Sequence, residues 1–297
     1  MGCILYPGSE YSGKVVVKDI GFPMQALLQV NPQAVTYDKT DLCKLPKRYA
    51  YSNKGTYGKV LVIAGSKNMS GAAFLSAGAA YRMGAGLVRI LSVEENRQIL
   101  QSLLPEAIIS TYKSDSIDWQ LIEEAVSWAK VVIIGPGFGN ELYAEKLLKF
   151  VMDYAKVPLI IDADGINILA THREWWGKDC KNRILTPHLG ELSRLTKKSI
   201  AELSRNLVSF AKALAGDLHA TVICKDARTV VASEGELTYV NTSGNSGMAT
   251  GGSGDVLTGV IAGLLAGGLA PYEAAALGVF LHGLAGDEAK IRQESTV

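Results

Sequence analysis

Cysteine is scarce and scattered in this chain of 297 residues. Cys3, Cys43, Cys180 and Cys224 stand far apart, with no CxxC pair and no histidine at a metal-ligand spacing. That excludes a sequence-encoded zinc finger or disulfide framework and fits a reducing, cytoplasmic setting. An excess of one charge is missing too. The formal net charge is +1, with no basic stripe or block, so nothing calls for nucleic acid or an anionic membrane. The start MGCILYPGSE lacks the regions of a secretory signal, and Tyr6 stands where a myristoylation site wants Ser or Thr. One long apolar run, residues 256–270, has Gly259, Gly263 and Gly267 at the spacing of a membrane dimerisation face. It falls short of the ~18 residues a span needs, and Pro271 and Glu273 follow it, so it reads as a helix buried in a soluble domain.

Familiar ligand motifs are absent as well. GPGFG at 135–139 has Asn140 where the dinucleotide fingerprint needs glycine, Gly58-Lys59 is followed by Val60 rather than Ser or Thr, and no G-x-S-x-G occurs. What the chain does have is 48% hydrophobic and only 20% charged residues, enough for a sizeable core. Its 31 glycines cluster in loops.

Residues 1–58 look loosely organised, with VVV at 15–17 as a short strand and Pro23, Pro32 and Pro46 as punctuation. We place a domain boundary after residue 45, giving an arm (1–45) and a main domain (46–297). From residue 59 the pattern alternates. Buried-strand runs at 59–65, 87–91, 107–111, 131–135, 159–165 and 184–186 are separated by helical stretches at 72–83, 94–103, 116–128 and up to 154. A helix over 199–215, strands at 221–225, 229–232 and 237–240, and two buried helices follow. Such alternation predicts an α/β fold with a mainly parallel sheet covered on both faces, whose ligands bind beyond the carboxyl ends of the strands.

The polar clusters SKNMSG, GPGFG, DADG, TPHLGE and KDART fall at those ends. The richest stretch is NTSGNSGMATGGSGDVLTG at 241–259, with Asp255 at the start of the last apolar run. Successive glycines ahead of a helix free amides to converge on an anion. Asp255 is then either an acid or base beside a phosphate, or simply an N-cap. Asp162 and Asp164 flank Ala163 at a strand end and suit Mg2+, or else cap the short helix that follows. His188 reads as a substrate contact or as a loop imidazole satisfied by backbone. Lys225 reads as a point charge for phosphate or as a solvated strand-end lysine.

The stretches KGTYGKVLVIAGSKNMSGAA, IGPGFG, LIIDADGINIL, ILTPHLGE, TVICKDART and GNSGMATGGSGDVLTG, in this order over residues 54–290, together resemble the NAD(P)H-hydrate dehydratases of the ribokinase-like superfamily. The resemblance implies a three-layer ribokinase-like fold and a repair reaction on the S-form of hydrated NADH or NADPH. A nucleotide would phosphorylate the ring hydroxyl, and phosphate would then be eliminated. It implies Asp255 as the base and Gly252, Ser253 and Gly254 as an anion hole. Ala72, Gly137, His188 and Asp255 match substrate positions, and Lys225, Asp226, Ala227, Arg228, Thr229 and Gly254 match nucleotide positions. The TGGSGD form resembles the branch that uses ADP rather than ATP. The implied partners are small molecules, with Mg2+ as cofactor and a homo-oligomer such as a tetramer as the assembly.

Departures accompany the likeness. Residues 4–23 resemble the tail of an epimerase domain whose remainder is not in this sequence, so no epimerase activity is expected. Relatives continue beyond the HGLAGD stretch further than this chain, which stops at Val297. Asp226 and Leu189 replace a frequent glycine and proline. Two rival readings stand beside this one: a ribokinase-like kinase that keeps its phosphorylated alcohol, and a nucleotide-binding module without turnover.

Overall fold

The computed structural model describes residues 2–30, 32–177 and 181–294; Cys180 and Val297 fall outside these. Short apolar runs bounded by glycine or proline form a ten-stranded sheet: β1 (Ala34–Val35), β2 (Lys59–Ile63), β3 (Leu87–Val93), β4 (Ile108–Tyr112), β5 (Val131–Ile134), β6 (Leu159–Ile161), β7 (Arg183–Leu185), β8 (Thr221–Cys224), β9 (Val230–Ala232) and β10 (Thr238–Val240). Their order is β1-β10-β9-β8-β7-β6-β5-β2-β3-β4. Every pairing is parallel except the two made by β9, which runs against β8 and β10.

The helices are α1 (Ser9–Ser12), α2 (Met24–Gln29), α3 (Ser70–Arg82), α4 (Arg97–Leu103), α5 (Trp119–Trp128), α6 (Leu142–Tyr154), α7 (Asp164–Thr171), α8 (Leu189–Thr196), α9 (Ile200–Arg205), α10 (Leu207–Leu218), α11 (Ser253–Ala266) and α12 (Pro271–Glu294). Strand side chains alternate between two cores, as the two-residue period requires. Leu61 and Ile63 join Ile122, Leu147, Ile166, Leu192 and Leu214 from α5, α6, α7, α8 and α10. Val60 and Val62 join Ala77, Ile261 and Phe280 from α3, α11 and α12 on the other face. Each fully buried aliphatic side chain contributes roughly 1.5–3 kcal/mol, which holds this three-layer α/β arrangement together.

The glycine stripe of α11 serves this packing. A Cβ on Gly259 would lie 2.1 Å from the Ser76 carbonyl oxygen of α3, and one on Gly263 would lie 2.4 Å from Met83 Cβ. Two backbones touch here because no side chain intervenes. Among the described residues no helix is long and apolar enough to cross a membrane.

Three features differ from the sequence reading. Val15, Val16 and Val17 form no strand and stand 48%, 59% and 91% exposed, because no neighbouring strand offers them pairing partners. The expected helix over 199–215 is two, broken at Asn206, whose ψ of 34° leaves the helical region. Residues 34–35 add an edge strand against β10, and the Tyr37 ring packs tilted against Tyr239 with centroids 4.6 Å apart. A two-residue strand gives too little alternation to be read.

Candidate functional site

At the carboxyl edge of the sheet, β2, β5, β6, β7 and β8 deliver the expected residues to one place. The last element to arrive is α11. Gly252 precedes it at φ 88°, in the left-handed region that glycine adopts freely. A Cβ there would meet Leu75 Cδ1 at 2.5 Å, so the turn sits directly on α3.

Ser253 opens the helix and Asp255 is its third residue. The amides of Gly252 and Gly254 have no hydrogen-bond partner among the described residues, whereas the Ser253 amide turns back to the Thr250 carbonyl at 3.4 Å. Two of the three expected anion-hole amides are therefore free, and the helix dipole adds positive potential at the same point.

Asp255 makes no capping hydrogen bond, so the N-cap reading of this residue is corrected: Gly252 holds that position. The carboxylate is half-buried and has no hydrogen-bond partner among the described residues. Burial, then the nearby Asp162 and Asp164 charges, push its pKa up to about 6 against the opposing pull of Lys225. A group poised there is ionised at neutral pH yet basic enough to take a proton.

One side of the site is backbone. The loop after β2 is fastened to the loop after β5 by the Gly65 amide on the Pro136 carbonyl at 2.9 Å and the Ser66 amide on the Gly137 carbonyl at 2.6 Å. Buried Asn96 braces it from below, donating to the Ser66 carbonyl at 3.1 Å and to Ser92 Oγ at 3.0 Å. Gly137, at φ 57°, lies so close to Ala72 that an added Cβ would come within 2.9 Å of the Ala72 Cβ. Ala72 and Gly137, singled out separately in the sequence, are thus neighbours.

A second group of residues at the site is polar. Asp162 is 1% exposed and wholly engaged. Its Oδ1 accepts from Thr186 Oγ1 at 2.6 Å and Lys225 Nζ at 3.0 Å, and its Oδ2 accepts from Thr258 Oγ1 at 2.8 Å. Asp164 instead accepts from the Gly139 amide at 2.8 Å. Between them Ala163 sits at φ 48°, ψ −118°, a strained conformation for a residue with a Cβ, and this turns the two carboxylates apart.

The donor set does not fit a metal held by this pair. Three protein donors, one of them a cation, already engage both oxygens of Asp162, and the described residues contain no group of three His, Cys, Asp or Glu able to hold an ion. The Mg2+ expectation for Asp162 and Asp164 thus finds no preformed cluster of ligands among the described residues.

Lys225 is no solvated strand-end lysine. Burial lowers its pKa, but the Asp162 and Glu191 charges outweigh this and leave it above the ordinary value. It lies against the anion loop, since a Cβ on Gly254 would be 3.3 Å from Nζ. His188 caps α8. Its Nδ1 accepts the Gly190 amide at 2.9 Å, which assigns the proton to Nε2, 3.3 Å from Glu191 Oε1. The imidazole is thus satisfied by backbone on one edge while the side chain is 55% exposed. Burial and the Lys225 charge hold it below its usual pKa.

The remaining nucleotide candidates lie one step outward. Arg228 donates to the carbonyls of Ile4 at 3.1 Å and Thr242 at 3.3 Å, and Thr229 Oγ1 donates to the Asp226 carbonyl at 3.2 Å. Ala227 lies between them in the same turn. A cavity of about 310 Å³ lined by Leu5, Tyr6, Leu207, Asp226 and Arg228 adjoins this loop. A larger hollow of about 400 Å³ at Trp119, Tyr143 and Lys146 lies away from these groups and carries none of the chemistry.

Sequence reasoning missed Thr186, Thr258, Glu191 and Asp287. Asp287 of α12 accepts from the Gly244 amide at 2.9 Å and Asn245 Nδ2 at 3.1 Å, fixing the base of the glycine loop. Thr258 falls three residues after Asp255, hence on the same helix face, which is the one signal the sequence offered for it.

This architecture, a mainly parallel sheet with a glycine-started helix and a half-buried lysine at its carboxyl edge, is the ribokinase-like α/β class. Ribokinase of Thermotoga maritima shares the fold at a TM-score of 0.51 with 13% identity, over 77% of this chain and 93% of that one. Within that class the chain belongs to the NAD(P)H-hydrate dehydratase family, whose model matches residues 60–297.

Among its relatives, the bifunctional NAD(P)H-hydrate repair enzyme Nnr of Moorella thermoacetica is 39% identical over 97% of this chain and 56% of that one. The ADP-dependent (S)-NAD(P)H-hydrate dehydratase of Neisseria meningitidis is 38% identical over 80% and 79%. The ADP/ATP-dependent NAD(P)H-hydrate dehydratase of Bacillus subtilis, crystallised with ATP and Mg2+, superposes at a TM-score of 0.69 with 33% identity, over 81% and 83%. The chain spans about half the length of the bifunctional relatives it matches.

Proposed function

We propose that this chain dehydrates the S-form of hydrated NADH or NADPH in a nucleotide-dependent reaction, with ADP as phosphoryl donor and ATP as the alternative. The observation that carries this is Asp255, an unpartnered carboxylate beside free amides of a helix start, with Lys225 against the same loop. Asp255 takes the proton of the ring hydroxyl, whose oxygen then accepts the terminal phosphoryl group of the nucleotide. The Gly252 and Gly254 amides and the Lys225 ammonium stabilise the charge on the transferring group. Breaking the C–O bond releases phosphate, and loss of a ring proton restores the dihydropyridine.

The ring of the substrate lies against the wall of Ala72 and Gly137, with His188 at its edge. The nucleoside end lies along Asp226, Ala227, Arg228 and Thr229. Mg2+ would enter with the nucleotide phosphates, and no step is assigned to it. A homo-oligomer and a cytoplasmic setting belong to the same proposal.

Incubation of the chain with hydrated NADH and ADP, and separately ATP, is expected to restore the absorbance of the reduced nicotinamide with one AMP or ADP and one phosphate formed per turnover. No recovery with either nucleotide, or accumulation of a phosphorylated alcohol, overturns the reading in favour of a kinase. Nucleotide-dependent thermal stabilisation without any turnover would instead mark a binding module.

A further inference from the structure

Asp162 is the most heavily engaged carboxylate of the described residues, and the reaction as written gives it nothing to do. It binds one group from the end of β7, one from the end of β8 and one from α11: Thr186, Lys225 and Thr258. Those three elements bring, respectively, His188, the nucleotide loop and Asp255. The backbone beneath it is built to hold it there. Ala163 tolerates φ 48°, and Gly135, at φ 119°, leaves room where a Cβ would fall 2.0 Å from the Asp162 carbonyl oxygen. Strain of this kind persists only where the surroundings over-determine it.

We propose that Asp162 is a positioning residue for phosphoryl transfer, not a metal ligand: one buried carboxylate fixes the Lys225 ammonium and the Asp255-bearing helix in a single frame. The inference rests on the proposed role of Asp255 and adds a part for a residue that touches neither substrate nor nucleotide. Its charge also acts through space. The groups facing Asp255 are Asp162 and Asp164 from the β6–α7 turn and Lys225 from the end of β8. His282 of α12, 3.5 Å from Ser253 Oγ, faces the same helix start, and Glu191 of α8 faces Lys225. Of these, Asp162 and Asp164 favour the protonated form of Asp255 and Lys225 the ionised form.

The test is Asp162→Asn in the full chain, read without reliance on turnover. Titration of the Asp255 carboxyl carbon by NMR is expected to give a midpoint at least about 0.5 pH unit below that of wild type, because a neighbouring negative charge has gone. ADP affinity, from nucleotide-dependent thermal stabilisation, is expected to fall about tenfold as Lys225 loses its anchor. A folded variant whose Asp255 midpoint stays put, or whose ADP affinity is that of wild type, overturns the proposal.

Should the single variant fail to fold, Asp162→Asn is combined with Lys225→Met, which removes the buried pair together and is the better-tolerated change. The Asp255 midpoint of the double variant must then fall below that of Lys225→Met alone; equal midpoints overturn the proposal. If wild type shows no dehydration at all, the function proposed above fails while these titrations still decide the role of Asp162.

Discussion

The two walls of the cleft are made in opposite ways. The wall of Ala72 and Gly137 is backbone against backbone, held by amide–carbonyl bonds between the loops after β2 and β5 and kept close by a glycine at φ 57°. The wall of Asp162, Thr186, Lys225 and Thr258 is side chain against side chain around one buried charge. The first presents a tight neutral face, suited to a flat ring recognised by shape. The second presents a fixed cation beside free amides, suited to a phosphoryl group whose charge must be met by preorganised dipoles. Each wall should therefore fail in its own way, and substitutions that fail to separate shape from charge would break the comparison.

The largest effect is expected where the walls meet. Asp255→Asn keeps the side-chain volume and removes the base, so kcat should fall at least about 10³-fold. ADP-dependent thermal stabilisation should persist, because Gly254 and Lys225 are untouched. In wild type the same carboxylate predicts an acidic limb in kcat, with activity lost as pH falls through about 6. An Asp255→Asn variant that turns over like wild type would remove Asp255 from the chemistry.

Next comes the packing that seats α11. Gly259→Ala places a methyl 2.1 Å from the Ser76 carbonyl oxygen, a backbone atom that cannot step aside. It should cost about 3 kcal/mol, at the upper end of overpacking, visible as a lower denaturation midpoint and a loss of kcat in proportion to unfolded protein. Gly137→Ala acts on the neutral wall. Forcing a Cβ to φ 57° and within 2.9 Å of the Ala72 Cβ should cost about 1–3 kcal/mol. It should raise KM for the hydrated dinucleotide while leaving ADP affinity unchanged. Equal losses in both affinities would mean that the walls do not divide the work as argued.

The sequence showed the neutral wall and the glycine-started helix more readily than the charged wall. Gly137 and the residues 252–255 stand in glycine-rich stretches, because close backbone approach requires glycine, whereas Ala72 is marked only by the family resemblance. Strand positions were legible for the same reason: buried parallel strands read as short unbroken apolar runs. Asp162 and Lys225 could be marked as candidates at strand ends, but Thr186 and Thr258 are ordinary residues at ordinary spacings, and only the sheet brings 162 beside 225 and 258. A pair of acids flanking one alanine in sequence invited a metal. Their divergence depends on the φ of Ala163, an alanine where nothing in composition announces left-handed backbone. The break at Asn206 and the two-residue strand at 34–35 were hidden because tertiary packing, not local pattern, decides them.

The smallest expected effect concerns a residue at the edge of the charged wall. Glu191 is 3% exposed and accepts the His188 amide at 2.8 Å. Burial is the chief cause that pushes its pKa up to about 7, with Lys225 and the His188 hydrogen bond opposing. The folded pKa therefore lies above the unfolded value of 4.5. Here the folded state holds its proton more tightly, so the stabilising contribution is complete below about 4.5 and is lost as pH rises through about 7.

Glu191→Gln has no such proton to lose. Its stability relative to wild type should improve between pH 5 and pH 8, by on the order of 1–2 kcal/mol once solvent relaxation is allowed for. The amide gives up one of two acceptor oxygens near His188, which sets an offset from wild type at pH 5; the slope with pH, not the offset, is the reading. Parallel denaturation curves at both pH values would show that Glu191 is ionised in the folded state throughout. The charged wall would then hold one more fixed negative charge at neutral pH than the protonated form of Glu191 allows.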